Sequence, residues 1–314
     1  MDKLTSIAVF VAAIEEGSIA AAGRRLEISS VMAGRYLSSL EDSLSARLIH
    51  RTTRRIAPTD TGVRYFTRCK RILDELDEAN QEAAATQSTP RGTLRLSAPV
   101  TFGAAYLGPI VARFLSEYAN VRIELQLQDR FVDLVEEGID IAIRIGRLVD
   151  SDLVAWPIGS CSLIACAAPD YLARHGHPQS LDDLASHERI GYKGTVSTVP
   201  WSFEGDQGII SITEPCRFVA NNTQMIAEAA LAGCGIAYGP SFAFAKHLEQ
   251  KELVHVLPMT RSPMLPIHAV TPTARHVPPK VRAFRDHLSN AFSGDDAPWE
   301  KWRKRTSTRA ATDK

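Results

Sequence analysis

The amino-acid sequence predicts a mixed architecture, α followed by α/β: a small helical head, one long helix and a larger domain of alternating strands and helices. Three observations carry this. Residues 1–60 contain short apolar stretches with a 3.6-residue period, followed by a basic turn. Residues 61–88 read as one continuous helix. Residues 92–292 alternate short apolar runs with helical patterns, as an α/β domain requires. The polar run from Gln87 to Gly92, broken by Pro90, marks the boundary.

Bulk composition agrees with two domains. The chain has 314 residues, 45% hydrophobic and 23% charged, which is ordinary for a soluble protein able to bury a core without disulfides. Its formal net charge is zero. That total does not exclude nucleic acid, because local charge clusters set the field that a polyanion meets. The cysteines (Cys69, Cys161, Cys166, Cys216 and Cys234) are odd in number and lack C-x-x-C spacing. They read as reduced, packed side chains, with a redox pair of Cys161 and Cys166 as the alternative. The apolar run Ile7 to Ile14 is short and is followed by Glu15 and Glu16, so it reads as a core helix and not a leader. Nothing approaches the ~20 apolar residues of a membrane span, and a cytoplasmic protein with no membrane partner is expected.

In the first helix Leu4, Ile7, Val11 and Ile14 share a face. Gly17 ends it and Ser18 caps the next, Ala-rich helix, Ile19 to Leu26. Ser29 or Ser30 caps a third helix, anchored by Val31, Leu37, Leu40 and Leu44. Its polar face carries Ser30, Gly34, Arg35 and Ser38. Three short helices with a polar last face suit insertion into a DNA major groove. The basic stretch Arg47 to Thr59 then resembles the wing of a winged helix, although composition alone would favour a solvated loop.

The long helix places Gly62, Phe66, Cys69, Leu73, Leu76, Asn80 and Ala83 at alternating spacings of four and three, a coiled-coil seam. Phe66, Leu73, Leu76, Asn80 and Ala83 are the candidate dimer contacts. The alternative is an amphipathic helix lying on its own domain.

These features together resemble the LysR-type transcriptional regulators. The head matches in order through Leu4, Ile7 and Phe10, Gly17-Ser18, Ala20-Ala21, Leu26, Ser29, Leu40-Glu41, Leu44, Arg47-Leu48, Arg51 to Arg54, Thr59 and Thr61-Gly62. Later matches are Ala98 to Gly103, Asp133 to Gly146 and Ala230 to Ala237. The resemblance spans about residues 1–292. It departs at Glu27, where Gly is usual, at Ser30-Val31, and at Gly34, where Ser is usual.

The resemblance implies a winged helix-turn-helix over 1–60, a linker helix over 61–88, and an effector domain over 92–292 built like a periplasmic binding protein. Lobe I would take about 92–160 and 266–292, and lobe II about 161–265, with the first crossing near Trp156 and Pro157. Residues 293–314 are expected to be a disordered tail. Ser29, Ser30, Val31, Gly34, Arg35 and Ser38 would meet DNA, with Arg35 on a guanine edge. Arg51, Arg54 and Arg55 of the wing would reach the backbone or minor groove. A homodimer or homotetramer on double-stranded promoter DNA follows, responding to a small-molecule effector.

Ligands of such sheets bind beyond the carboxyl ends of the strands, where helix N-termini face the crevice. That singles out Val100, Thr101 and Phe102 at one helix start, Asn222 and Thr223 at another, and Asp129 and Phe131 after the second strand. Thr195 and Trp201 are candidate walls in lobe II. Simple N-capping is the alternative role for Thr101. A small organic acid or aromatic is the effector suggested by the fold. No cofactor, metal or catalytic residue is expected: G-x-S-x-G, a Walker loop and H-E-x-x-H are all missing. An enzyme or a transport-type solute-binding protein on the same lobes is the rival reading.

Overall fold

The computed structural model describes residues 2–51, 56–84, 89–148, 153–194, 197–272, 277–292 and 297–303. The chain divides into two compact units, a head and a larger α/β unit that begins at Leu94.

In the head, α1 (Lys3–Glu16), α2 (Ile19–Arg25) and α3 (Ser30–Leu44) precede a hairpin of β1 (Ile49–Arg51) and β2 (Ile56–Pro58), then α4 (Asp60–Ala84). Each start has a physical cause. Ser18 accepts a hydrogen bond from the Ala21 N–H, and Ser29 accepts one from the Met32 N–H, satisfying amides that a helix start leaves free. Thr59 accepts from the Gly62 N–H at 2.9 Å and donates to the Arg47 carbonyl, joining α4 to the hairpin. Gly62 has to be glycine here, since a Cβ would lie 1.9 Å from the Leu48 carbonyl oxygen.

The head core joins Ile7, Phe10, Val11, Leu37, Leu40, Leu48, Ile49 and Cys69. Two expected core residues fall outside it: Leu4 is exposed, and Val31 is 65% exposed. On α3 the buried line is Ala33, Leu37, Leu40 and Glu41, which puts Val31 on the opposite side of the helix.

The larger unit has one principal sheet in the order β10-β7-β11-β6-β13-β5-β3-β4, with β12 also paired to β6. Its strands are β3 (Gly92–Ala98), β4 (Val121–Leu127), β5 (Ile141–Ile145), β6 (Val154–Ala167), β7 (Arg189–Tyr192), β10 (Phe218–Ala220), β11 (Ile236–Pro240), β12 (Val254–Val256) and β13 (Met264–Thr271). A separate hairpin is formed by β8 (Trp201–Gly205) and β9 (Gly208–Ile212). The helices are α5 (Val100–Phe102), which runs through a π turn at Gly103–Leu107 into α6 (Gly108–Glu117), then α7 (Pro169–His175), α8 (Thr223–Leu231), α9 (Ser241–Glu249) and α10 (Pro279–Phe292).

Strand β6 makes two lobes of this sheet. As far as Ser162 it pairs with β13, and from Leu163 it pairs with β11 and β12. The handover therefore falls later than the expected crossing at Trp156 and Pro157. The strand runs through Pro157 because the register slips there: Ile267 lies opposite Gly159 and His268 opposite Pro157, leaving Ile158 as the bulged residue. A residue without an N–H is tolerated at such a bulge.

The expected disordered tail is corrected over its described part. Pro298–Glu300 forms a short helical turn, Trp299 is 0% exposed and Trp302 is buried. The Trp299 ring centre sits 5.2–5.3 Å from those of Tyr106, Phe102 and Phe292, and its N–H donates to the Ser160 carbonyl at 3.0 Å. Glu300 accepts from the Ser162 N–H and the Ser241 hydroxyl. Two large aromatic side chains find apolar partners here, which outweighs the cationic composition around them. No single described helix is long and apolar enough to cross a membrane.

Candidate nucleic-acid interface and effector cleft

On α3, Ser30, Val31 and Arg35 are exposed, Gly34 and Ser38 are half-buried, and Ser29 caps the helix that carries them. The helical period puts these residues on the side away from the core. Arg35 makes no ion pair among the described residues, so its guanidinium is open to a partner. Around Gly34 a Cβ would find nothing within 4 Å. Packing within the head therefore does not require this glycine. Arg51 ends β1, while Arg54 and Arg55 lie outside the described residues.

One residue that steadies this face was matched in the sequence without a role being assigned. Glu41 is 2% exposed at the end of α3. One carboxylate oxygen accepts from the Leu48 and Ile49 N–H groups at 2.8 and 3.2 Å, and the other pairs with Arg47 at 3.0 Å. It ties α3 to β1. A buried Glu in a helix of period 3.6 carries no mark of this in the sequence; only the fold brings the strand amides to it. Glu27, noted as a departure, sits at φ +58°. The usual glycine at this turn would adopt that left-handed conformation without strain.

Two residues of the expected dimer seam also serve the head itself. Phe66 and Leu73 pack on the head's own core, where the Phe66 ring meets Phe10 edge-on at 6.5 Å and Cys69 is buried. Short amphipathic helices leave one side of their core open, and α4 covers it. Among the described residues Val63, Ile72 and Leu76 are the exposed large apolar side chains on α4, and Ile72 and Leu76 lie four residues apart. The side chains of Asn80 and Ala83 lie outside the described residues.

In the α/β unit, five sequence-predicted residues from the two lobes meet. Asp129, just after β4, accepts from the Val100 N–H at 3.0 Å and from the Asn222 amide at 2.7 Å. Thr223 donates to Thr101 at 2.8 Å. Thr101 is thus no N-cap: α5 has no side-chain cap of its own, and the Asp129 carboxylate serves its first amide. Tyr192, at the carboxyl end of β7, was missed. It is half-buried, and its phenol is pushed up by burial first and by the Asp129 charge second. Position at a parallel strand's carboxyl end was the signal available in the sequence.

Other candidates stand elsewhere. The Phe102 ring is fully buried among Tyr106, Phe242, Phe292 and Trp299, so it is a core residue and not a ligand contact. Trp201 is buried as well, stacked on Tyr238 at 5.2 Å with Arg189 over its ring. It packs inside lobe II because a hairpin as small as β8–β9 needs an apolar face to rest on. Phe131 is exposed with Arg144 over its ring, and Arg144 also donates to the Val132 carbonyl. Thr195 lies outside the described residues.

Burial pushes the thiols of Cys161 and Cys166 well up, leaving them as packed, unreactive groups. Among the described residues no cluster of His, Cys, Asp or Glu suits a metal.

A helix-turn-helix head carrying a hairpin, followed by a long helix and a two-lobed α/β unit, is the architecture of a transcriptional regulator. The comparisons place it further. Residues 4–63 match the bacterial regulatory helix-turn-helix protein, lysR family, and residues 87–293 match the LysR substrate binding domain. The chain belongs to the LysR family of transcriptional regulators.

An HTH-type transcriptional regulator of Haemophilus influenzae is 37% identical over 281 residues, covering 90% of this chain and 98% of that one. The regulator PtxR of Pseudomonas aeruginosa is 36% identical over 292 residues, covering 91% and 93%. The solved structure of CrgA, a LysR-type regulator from Neisseria meningitidis, aligns with a TM-score of 0.60 at 31% identity, covering 91% and 97%. These relatives are regulators and not enzymes.

Proposed function

We propose that the chain binds an inverted-repeat operator in double-stranded promoter DNA as a dimer or tetramer, and that a small molecule held between its two lobes adjusts that binding. The observation that carries the reading is the outer side of α3: Ser30, Val31 and Arg35 project from a capped helix whose other side is locked into a closed core. Such a helix enters the major groove, where Arg bonds a guanine edge in bidentate fashion. Ser29 and Ser38 border this face, and Arg51, Arg54 and Arg55 of the wing would add phosphate or minor-groove contacts. The exposed pair Ile72 and Leu76 on α4 is the starting point for contact between two copies.

The test is binding of the full chain to DNA from upstream of its own coding sequence, against scrambled DNA, at 50 and 200 mM salt. A specific complex is expected that weakens ~10³–10⁵-fold over this range if 6–10 phosphates are contacted. Arg35→Ala should cost ~1–3 kcal/mol of that binding and leave the thermal midpoint unchanged. Equal affinity of wild type and Arg35→Ala for every DNA tried would remove α3 as the reading helix.

A further inference from the structure

At the meeting of the two lobes the polar groups are already committed to each other. The Asp129 carboxylate holds the Val100 N–H with one oxygen and the Asn222 amide with the other. That amide is fixed in orientation, because its own oxygen accepts the Met225 N–H at 2.9 Å as the cap of α8. The side that faces Asp129 is therefore the –NH2. Next to it the Thr101 and Thr223 hydroxyls close a second bond across the lobes. A molecule entering between the lobes must replace these bonds, since half-buried polar groups left unpaired are costly.

Replacement imposes a chemical condition. From lobe I an ionised carboxylate only accepts, and from lobe II the free amide hydrogens only donate. An inserted group has to donate to Asp129 and accept from Asn222 side by side. A carboxamide does so with its N–H and C=O, and an α-amino acid does so with its ammonium and carboxylate. A simple carboxylate satisfies Asn222 but sets a second negative charge against Asp129, and opposed like charges repel. Arg144, whose guanidinium lies over the Phe131 ring, donates to the Val132 carbonyl.

The geometry points to a neutral or zwitterionic effector with donor and acceptor side by side, a carboxamide or an α-amino acid, with Asp129 rejecting simple carboxylate anions. This rests on the reading that the effector binds between the lobes, and it narrows that reading away from the organic acid which the fold alone suggests.

The experiment is calorimetric binding of matched pairs to the full chain: benzamide with benzoate, nicotinamide with nicotinate, aliphatic amides with their acids, and the common α-amino acids. Wild type should prefer amides or amino acids over matched acids by at least tenfold. Asp129→Asn, which keeps an acceptor and removes the charge, should shrink that preference tenfold or reverse it. Acids bound by wild type as tightly as their amides, or a preference untouched by Asp129→Asn, would overturn the class and leave the cleft itself standing. If no member binds either protein, the class and the cleft reading fall together, while promoter binding by the same samples still judges the head separately.

Discussion

The outer side of α3 and the contact between the lobes use similar side chains, hydroxyls with one charged group, in opposite states. On α3, Ser30 and Arg35 face solvent. Between the lobes, Thr101, Asp129, Asn222 and Thr223 are spent on one another. A helix that reads a polyanion gains from groups held ready, because nothing has to break before contact. A sensing cleft gains from bonds that a ligand must exchange, because a molecule shifts a two-state equilibrium only by what it prefers in one state. On the proposed function, the head would be a preformed surface and the cleft a switch with a resting position.

This contrast can be broken region by region, because all four tryptophans (Trp156, Trp201, Trp299 and Trp302) lie in the α/β unit. Tryptophan fluorescence therefore follows that unit alone, and far-UV circular dichroism follows both. The largest effect is expected from Trp299→Ala, which empties a fully buried site among Phe102, Tyr106 and Phe292. It should cost about 3–5 kcal/mol in denaturant unfolding read by the remaining tryptophans. A fluorescence midpoint that does not move would return residues 297–303 to the status of a tail.

Glu41→Ala should act next, and only on the head. It strands two buried N–H groups and unpairs Arg47, for about 2–4 kcal/mol, seen in circular dichroism with the fluorescence transition unmoved. If DNA affinity survived such a loss at low temperature, the tie between α3 and β1 would matter for folding and not for reading.

A pH effect of intermediate size belongs to the α/β unit. His255 lies under Trp302, and burial first, then the Arg303 charge, pushes it down to about 4 from 6.5. The folded side chain stays neutral while the unfolded one takes a proton near 6.5, so stability is whole above 6.5 and is lost as pH falls toward 4. His187 and His268 are also lowered by burial and add the same sign. His255→Phe should reduce the slope of fluorescence-detected stability over pH 6.5–4, and an unchanged slope would clear His255 of the effect.

The smallest effects probe the reading surface. Glu27→Gly relieves a left-handed residue and Gly34→Ala restores a helix former into open space, each worth about 1 kcal/mol to the head. Gain of stability with loss of DNA binding in Gly34→Ala would mean that glycine serves close approach to DNA. Gain of both would mean that it serves neither.

The architecture was legible because it rests on local signals. Period, caps and turns lie within a few residues of each other, and Ser18, Ser29 and Asn222 act as caps at the helix starts they precede. Thr101, Asp129, Asn222 and Thr223 could be marked from strand ends and helix starts, although their mutual bonds could not. The misjudged residues were those whose fate depends on distant partners. Phe102 and Trp201 were read as contacts for something outside, whereas each is buried inside its own unit. Trp299 and Trp302 were set aside with a basic tail, whereas the hollow beside β6 and α9 receives them.

By itself, then, the sequence determined which segments are helix or strand, the kind of regulator they compose, and which side of α3 is polar, because hydrophobic period and capping act over one or two turns. Only the tertiary structure decided that Glu41 holds the wing, that the C-terminal tryptophans are core, and that Asp129 and Asn222, 93 residues apart, face each other across the lobes. Contacts of that separation are chosen by how whole elements pack, and no short stretch of chain contains that information.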